Sequence, residues 1–538
     1  MNKKNIYFSL LTIAVAFSLL SFRIDFFEIA KQLEIYNTLF KEINMSYVDK
    51  TNPAELMESG VKHMLSELDP YTVYSSEQDV ENAKIYRSGI YVGIGAKMKI
   101  IDKKLIIEEP FQGLSADKAG LIAGDEIIKI NGTDLTESFA QSELLLKGKK
   151  NSKVNITYKR GQEEREVKLE RGEKKPKAVP VYQMLDNNIG YIALERFSRT
   201  AAQEVESALK LLLIDEAKGL ILDLRNNPGG LLQEAVKIVN LFVKKKQLVV
   251  FTRSNIEQYN NQFFTQKQPI SEDIPLIVLI NENSASASEI VAGALQDLDR
   301  AVIVGKRSFG KGLVQQPKPL PYGAQVKVTI SRYFIPSGRC IQALDYSERT
   351  ETGRAKKIDT KRAFKTKKGR TVFDGGGIKP DVVSSKRSLF NLISTLEKEH
   401  LIFKFVNEYV RKNEIKDLHK FELTPSIFEA FKVFCLSQNF SLGTNTEKAL
   451  DKVLSFSGEE NLKTLESSLQ QVKKSLEKEK ELALEQSKDM ISWILAEEII
   501  KRKYYREGMY KYGLLKNKTI LEAKSILKDS KRYYSILK

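Results

Sequence analysis

At 538 residues the chain has room for several domains, and its 42% apolar and 29% charged content is that of a globular protein with a polar surface. Two cysteines far apart, Cys340 and Cys435, exclude a disulfide framework and a CxxC metal or redox site, and three scattered histidines, His63, His400 and His419, do not make a zinc set. The formal charge of +17 is concentrated in Arg339–Arg370, with 11 Lys/Arg against 4 Asp/Glu, and in Met490–Lys538, with 12 against 5. Such stretches are solvated faces, or contacts to anionic envelope material or an acidic partner.

The N-terminus sets the compartment. Lys3 and Lys4 precede an apolar run, Ile6–Phe22, which together read as the n- and h-regions of an export signal. The run is 17 residues long, at the lower limit for spanning a bilayer. No small-x-small cleavage site follows and there is no cysteine for a lipid anchor. Residues 1–23 are therefore a signal peptide or a signal anchor. The rest of the chain is expected outside the cytoplasm, in the periplasm or cell envelope, with residues 6–22 either removed or retained as a single inner-membrane anchor. Export argues against nucleic acid as a partner. Residues 24–85 read as helices, including Ile29–Ile43 and Pro53–Leu68, the second with Pro in its first turn and stopped by Leu68-Asp69-Pro70-Tyr71. Packing or a homo-oligomer contact is the expected role.

Residues 86–172 form a second module. Strand-like alternation occurs in Leu105–Glu109 and Val154–Lys159, and Gly113–Leu121 and Gly124–Gly132 add a short helix start, a turn and a strand. With Tyr91–Ala96 (YVGIGA), these stretches resemble a PDZ domain. In that reading Gly93, Ile94 and Gly95 form the loop that receives a terminal carboxylate, an extended peptide adds to the sheet edge, and the helix Ser138–Leu146 makes the other wall of the groove.

After a charged linker, Glu173–Val181, strands and helices alternate. Ile189–Leu194 reads as a strand, Ala201–Leu213 as a helix, Gly219–Leu224 as an apolar strand that delivers Asp223 and Arg225 to an NNPGG loop, and Leu231–Val243 as the next helix. An ion pair between Asp223 and Arg225 is expected to hold the loop. Pro275–Ile280 is a further buried strand, Ala287 begins a helix, and Ala301–Val304 is another strand.

Ser286 thus sits at a strand-to-helix junction among small residues. Free backbone N–H groups and the positive end of a helix point there, as an oxyanion requires. A nucleophilic serine also needs a base. No histidine lies between Gly190 and Pro380, which leaves Lys311, flanked by Gly310 and Gly312. A lysine must fall roughly 3 below its usual pKa of about 10.4 to act near neutral pH, on the order of 4 kcal/mol of desolvation and local field. Gln315, four residues on, can accept from or orient the amine. From spacing alone the plainer reading is the stronger one: Ser284, Ser286 and Ser288 as helix-capping residues and Lys311 as a surface lysine. A P-loop reading of Gly305–Lys311 is set aside, because Gly312 stands where Ser or Thr should hold magnesium and no convincing helix follows.

Asp223–Gly230 (DLRNNPGG), Asn283–Ala292 (NSASASEIVA), Gln296-Asp297 and Phe309–Gln315 (FGKGLVQ) resemble, in order and spacing, the core motifs of the carboxyl-terminal processing proteases, tail-specific Ser/Lys peptidases. The resemblance extends more loosely over about residues 30–385. It implies Ser286 as nucleophile, Lys311 as general base, Gln315 as the residue that positions the lysine, and the N–H groups of Gly230 and Ala287 as the oxyanion hole. Asp297 matches a supporting acid. Pro228 stands where some members have a third glycine.

Gln325–Phe334 reads as a strand. Ser337–Gln342 (SGRCIQ) and Gly375–Asp381 (GGGIKPD) resemble family sequences that lie close together, separated here by a basic insertion at about 343–373. From residue 388 to 538 the chain is helical and charged, with a short 3,4 seam at Leu462, Leu465, Leu469, Val472 and Leu476 that suits an intramolecular helix pair or a dimer equally. The expected architecture is α/β multidomain: a protease core over 173–387, which the resemblance implies is crotonase-like ββα rather than a doubly wound sheet, a PDZ domain over 86–172, and helical N- and C-terminal parts. The expected activity is cleavage of proteins at C-terminal tails with no cofactor and no metal. The alternatives are a catalytically silent PDZ-bearing envelope scaffold or adaptor, and an acyl-transfer enzyme acting on coenzyme A thioesters, which the export signal and the PDZ-like module disfavour.

Overall fold

The computed structural model describes residues 26–77, 79–80, 91–135, 145–146, 148–174, 177–349, 355–358, 362–384, 390–438, 440–460 and 462–538. The export signal, all but the last two residues of the helix expected at Ser138–Leu146, and parts of the basic insertion lie outside them. The chain divides into two units, one made of the N-terminal residues to 78 with Gln315–Thr329, the other of Asp79–Val314 with Ile330–Lys538.

In the first unit, residues 26–46 are helical and a second helix runs over Pro53–Ser66. Asn52 caps that helix by accepting from Ala54 N–H at 3.1 Å, and Pro53 occupies the first turn, where its missing N–H costs nothing. Asp69 then folds the chain back, its carboxylate accepting the N–H groups of Tyr71 (2.8 Å) and Thr72 (2.9 Å). Val73–Ser75 pairs antiparallel with Gln325–Lys327.

The second unit holds a PDZ-like sheet, a core sheet and the C-terminal helices. The PDZ-like sheet is antiparallel, and Ala96–Ile101 is one of its edge strands, paired on one side with Lys104–Pro110. The core sheet has six strands in chain order: β1 (Val181–Leu185), β2 (Ile189–Ala193), β3 (Gly219–Asp223), β4 (Leu276–Ile280), β5 (Val302–Gly305) and β6 (Val382–Val383). β1 and β2 are antiparallel and every later pairing is parallel. Helices α1 (Ala201–Ile214), α2 (Leu232–Asn240) and α3 (Ala287–Asp297) cross over between parallel strands.

The strand sequences GLILD and LIVLI are apolar on both sides of the pleat because both faces of the sheet are covered. Leu220, Leu222, Leu276, Val278 and Ile303 face α1, α2 and α3 in one core. The alternate residues Tyr191, Ile221, Ile277, Leu279 and Val304 face a second core. That second layer is the end of the chain. After the long helix α4 (Lys488–Lys516), helices α5 (Lys518–Lys528) and α6 (Ser530–Ile536) bring Ile520, Ala523, Ile526 and Tyr533 onto the sheet. The Tyr533 hydroxyl also receives Leu276 N–H at 2.9 Å. The C-terminal segment is thus more than an appended helical tail, since its last helices complete the α/β core. A separate helical cluster centred on Phe428, Phe431, Leu495 and Ile499 fills the region before them. Of the 3,4 seam, Leu476 joins that cluster while Leu465 and Val472 stay exposed.

Among the described residues no helix is long and apolar enough to cross a membrane, and Cys340 and Cys435 are both free thiols. Ile526 is fully buried between α5 and the sheet. Ile526→Ala should cost about 2–5 kcal/mol, the range for emptying a packed aliphatic site. It is measured as a fall in the urea midpoint of the core transition, and an unchanged midpoint would show that α5 does not stabilise the sheet.

Candidate active site

Ser286 is the residue before α3, and its backbone is held at φ 55°, ψ −114°. A non-glycine residue pays conformational energy there, of order 1–3 kcal/mol, and such strain persists only where surrounding contacts impose it. The contacts are present. Ser284 Oγ donates to Leu224 O at 2.8 Å and Ser288 Oγ donates to Asn227 O at 2.9 Å. The serines on either side therefore staple the start of α3 to the 224–227 loop, which leaves Ser286 as the one of the three set at the strained turn.

The opposing loop is built to lie against that turn. Asn227 is fully buried, donating from Nδ2 to Leu194 O at 2.7 Å and accepting Gly229 N–H at 2.9 Å. Gly229 has φ 101°, and a Cβ there would fall 2.9 Å from Ser286 Cβ and 2.7 Å from Ala285 O. Only glycine permits that approach. Next to it Gly230 lies against Phe197, and a Cβ would meet Phe197 O at 2.4 Å. Ala287 is the first residue of α3, so its N–H has no partner within the helix. The expected ion pair is present behind the loop. Arg225 donates to both oxygens of Asp223, at 2.9 and 2.6 Å, and Tyr191 Oη donates to Asp223 at 2.7 Å.

Lys311 enters on a loop whose glycines are also set by close approach. A Cβ on Gly310 would be 2.6 Å from Ala343 Cβ, and one on Gly312 would be 2.9 Å from Gln342 N. The stretch after Lys311 is a strand, Leu313–Pro319, rather than the helix a P-loop needs. The SGRCIQ and GGGIKPD stretches flank this loop together, with Gly377 N–H donating to Ile341 O at 2.8 Å and Ser308 N–H to Ile378 O at 3.1 Å.

Ser286 and Lys311 are tied to each other's backbone through two buried side chains that motif reading overlooked. Glu289 is fully buried. Its Oε2 accepts the N–H groups of Ser286 (2.8 Å) and Lys311 (2.9 Å), and its Oε1 accepts Gly310 N–H (2.7 Å) and Ser308 Oγ–H (2.6 Å). From the other side Tyr333 Oη donates to Lys311 O at 2.5 Å and lies 3.2 Å from Ser286 O. Burial pushes the Glu289 carboxyl up to about 7, against the opposing pull of its four donors. The sequence did carry a signal for Glu289: Ser286-x-x-Glu289 has capping-box spacing.

The other expected residues each have partners of their own. Asp297 is at the far end of α3, where it pairs with the buried Arg339 at 2.7 Å and accepts Ser337 N–H at 3.0 Å. It anchors the 337–342 turn. Gln315 belongs to the first unit, where its amide donates to Thr329 Oγ1 at 3.3 Å. Before the PDZ-like sheet, Gly93 ends the strand Tyr91–Gly93, which pairs antiparallel with Gly172–Lys174; Ile94 is fully buried, and Gly95 has φ 82°. The carbonyls of Ile94 and Gly95 are taken by the N–H groups of Ala116 (2.9 Å) and Phe111 (2.8 Å). Among the described residues no group of His, Cys, Asp and Glu is placed to hold a metal ion.

Three stretches of the chain match known families. Residues 188–348 match the model of peptidase family S41, residues 92–170 that of a PDZ domain, and residues 392–527 that of the C-terminal helical domain of probable PDZ-proteases. A probable CtpA-like serine protease of Staphylococcus haemolyticus (strain JCSC1435) is 36% identical over 304 residues, covering 56% of this chain and 61% of that protein. One of Staphylococcus aureus (strain MRSA252) is 34% identical over 306 residues, with the same two coverages. The chain thus spans about three-fifths of the length of the curated relatives it matches. The photosystem II D1 C-terminal processing protease is similar in structure at 27% identity and a TM-score of 0.35, covering 56% of this chain and 88% of that one. In chain order, the matched stretches are thus similar to a PDZ domain, to an S41 peptidase segment and to the C-terminal helical domain of probable PDZ-proteases.

Glu289→Gln places an amide NH2 against two backbone N–H donors. With each buried unmatched group worth roughly 1–3 kcal/mol, both stability and turnover should fall, turnover by at least ~10-fold. The carboxyl also sets a pH dependence. Its folded value of about 7 lies above its ordinary 4.5, so the folded state binds the extra proton. The stability it contributes is present below 4.5 and is lost as pH rises through 7. Measured by denaturant titration, wild type should lose stability relative to Glu289→Gln across that window, and parallel curves would refute the assignment.

Proposed function

We propose that this chain is a serine endopeptidase of the cell envelope, with a crotonase-like core, that takes the C-terminal tails of proteins on its PDZ domain and cleaves them with Ser286 activated by Lys311. The observation that supports the dyad most directly is the convergence of Ser286 and Lys311 on one carboxylate oxygen of Glu289, at 2.8 and 2.9 Å. A capping serine and a surface lysine would have no need of a shared buried anchor.

The chemistry follows from these groups. Neutral Lys311 Nζ takes the proton of Ser286 Oγ as the oxygen bonds to the scissile carbonyl carbon. The oxyanion is received by the N–H groups of Gly230 and Ala287. The C–N bond then breaks, and the leaving amine takes the proton from the Lys311 ammonium. Water, deprotonated by Lys311, attacks the acyl ester, and Ser286 Oγ regains its proton as the acid product leaves. No step calls for a metal or a cofactor. Tail recognition is supported by the edge position of Ala96–Ile101 directly after the Gly93–Gly95 loop, an arrangement that can accept an added peptide strand.

The test compares wild type, Ser286→Ala and Lys311→Ala on an unfolded protein with a free apolar C-terminal tail. Cleavage by wild type is expected, with at least ~100-fold loss in each variant, the scale of removing a nucleophile or its base. Equal activity in all three would overturn the dyad. An inert wild type that also resists a serine-directed acylating probe would leave a PDZ-bearing scaffold as the function.

A further inference from the structure

The helix α4 is broken at one residue. Tyr505 has φ 57° and ψ −168° inside Lys488–Lys516. A bulky residue at positive φ is an outlier that only imposed contacts maintain. Here the break aims two neighbouring side chains at two different domains. Tyr505 Oη donates to Asp117 at 2.6 Å, in the PDZ domain. Arg506 donates to both oxygens of Glu109 in the PDZ domain, from Nε at 2.8 Å and from Nη2 at 3.0 Å, and from Nη1 to Glu195 of the peptidase core at 3.0 Å. Tyr510, one turn on, donates to the other oxygen of Glu195 at 2.9 Å.

Each of these acids stands next to a functional segment. Glu109 lies opposite Lys97 on the edge strand Ala96–Ile101. Asp117 belongs to the short helix Ser115–Lys118, whose Ala116 N–H holds Ile94 O at 2.9 Å in the proposed carboxylate loop. Glu195 is two residues from Phe197. That residue donates its N–H to Gly229 O at 3.1 Å, accepts Leu231 N–H at 2.9 Å, and so brackets Gly230.

We infer that Arg506 is a positioning residue for the reaction: it ties the peptide-accepting edge of the PDZ domain to the strand end that frames the oxyanion glycine, so that a bound tail raises turnover at Ser286. This role rests on the function proposed above, and it gives the C-terminal helical domain a part in that function. A planar guanidinium can hold one carboxylate with two N–H groups while a third serves another carboxylate, a fixed geometry that a lysine's point-like ammonium does not provide.

The experiment uses the full chain and one peptide substrate in two forms, ending in a free apolar tail or in the corresponding amide. For wild type, kcat/KM should favour the free tail by about 10-fold, within the usual range of site-to-site coupling. In Arg506→Gln that preference should fall at least ~5-fold, through kcat, while turnover of the amide changes little. Affinity of the free-tail peptide, read by fluorescence anisotropy on Ser286→Ala with and without Arg506→Gln, should stay within about 2-fold if the loss lies in coupling rather than binding. Glu109→Gln removes the same link from the other side and should give the same loss, the double variant being no worse than either single one. A preference retained in both variants overturns the role of Arg506 alone, as does an equal loss on both substrates, which would mark a merely structural residue. A wild type with no preference for the free tail overturns tail recognition and this inference with it. Unaltered cleavage by Ser286→Ala overturns the dyad reading beneath both.

Discussion

A fully buried carboxylate cannot stay unpaired, and in this chain every acceptor position of Glu289 is used to bring two distant loops into register. One oxygen takes the amides of Ser286 and Lys311, and the other takes Gly310 and Ser308. Moving either loop alone would strand donors in a dry interior. The strained φ of Ser286 and the positive φ of Gly310 fall where the backbone must reach Glu289 from both sides. Tyr333 fixes the same pair from the carbonyl side, so the peptide planes of both residues are held at each edge. Ser286 and Lys311 reach Glu289 through their backbone N–H groups and not through their side chains.

This arrangement needs a rigid platform, and the sheet supplies it by being buried on both faces. Parallel strands deliver Asp223, Ile280 and Gly305 at the same end of the sheet, where the 224–230 loop, the start of α3 and the Lys311 loop all emerge. One face is covered by crossover helices that the strand order requires. The other would be a large apolar surface without α5 and α6, which begin more than a hundred residues after the last strand of the sheet.

Much of this was legible in the sequence, and the failures have physical causes. The core strands, the helix after Ser286 and the NNPGG turn follow from short apolar runs bounded by Asn, Gly and Pro, which are local signals. Asp223 and Arg225 are two residues apart, so their pairing could be anticipated. Glu289 was passed over because a glutamate in the first turn of a helix normally faces water and only favours the dipole; its burial depends on a loop twenty residues on. Tyr333 sits in a strand of alternating polarity where its hydroxyl has no local partner to betray it. The closing of the sheet by α5 and α6 was invisible for the same reason. KTILEAKSILK reads as an ordinary amphipathic helix, and nothing in it names the surface that its apolar stripe will cover.

The charge distribution shows how far a composition argument reaches. A net positive C-terminal stretch and a positive insertion read as solvated faces or as surfaces for an acidic partner. Many of the acids they meet belong to the same chain. Arg506 is taken by Glu109 and Glu195, Lys524 by Asp186, and Arg532 by Glu522. In the insertion Arg370 is nearly buried between Asp299, at 2.6 Å, and Asp381, at 2.8 Å. The exposed pairs contribute little to stability, since water competes for both partners. Arg370 and Arg506 differ because each bridges two carboxylates from separate segments, and losing the cation would leave both acids facing each other in a partly dry site. For these residues the basic character of the sequence is a record of internal docking, in which the insertion is fastened behind α3 and the C-terminal helices are fastened across the PDZ domain and the core.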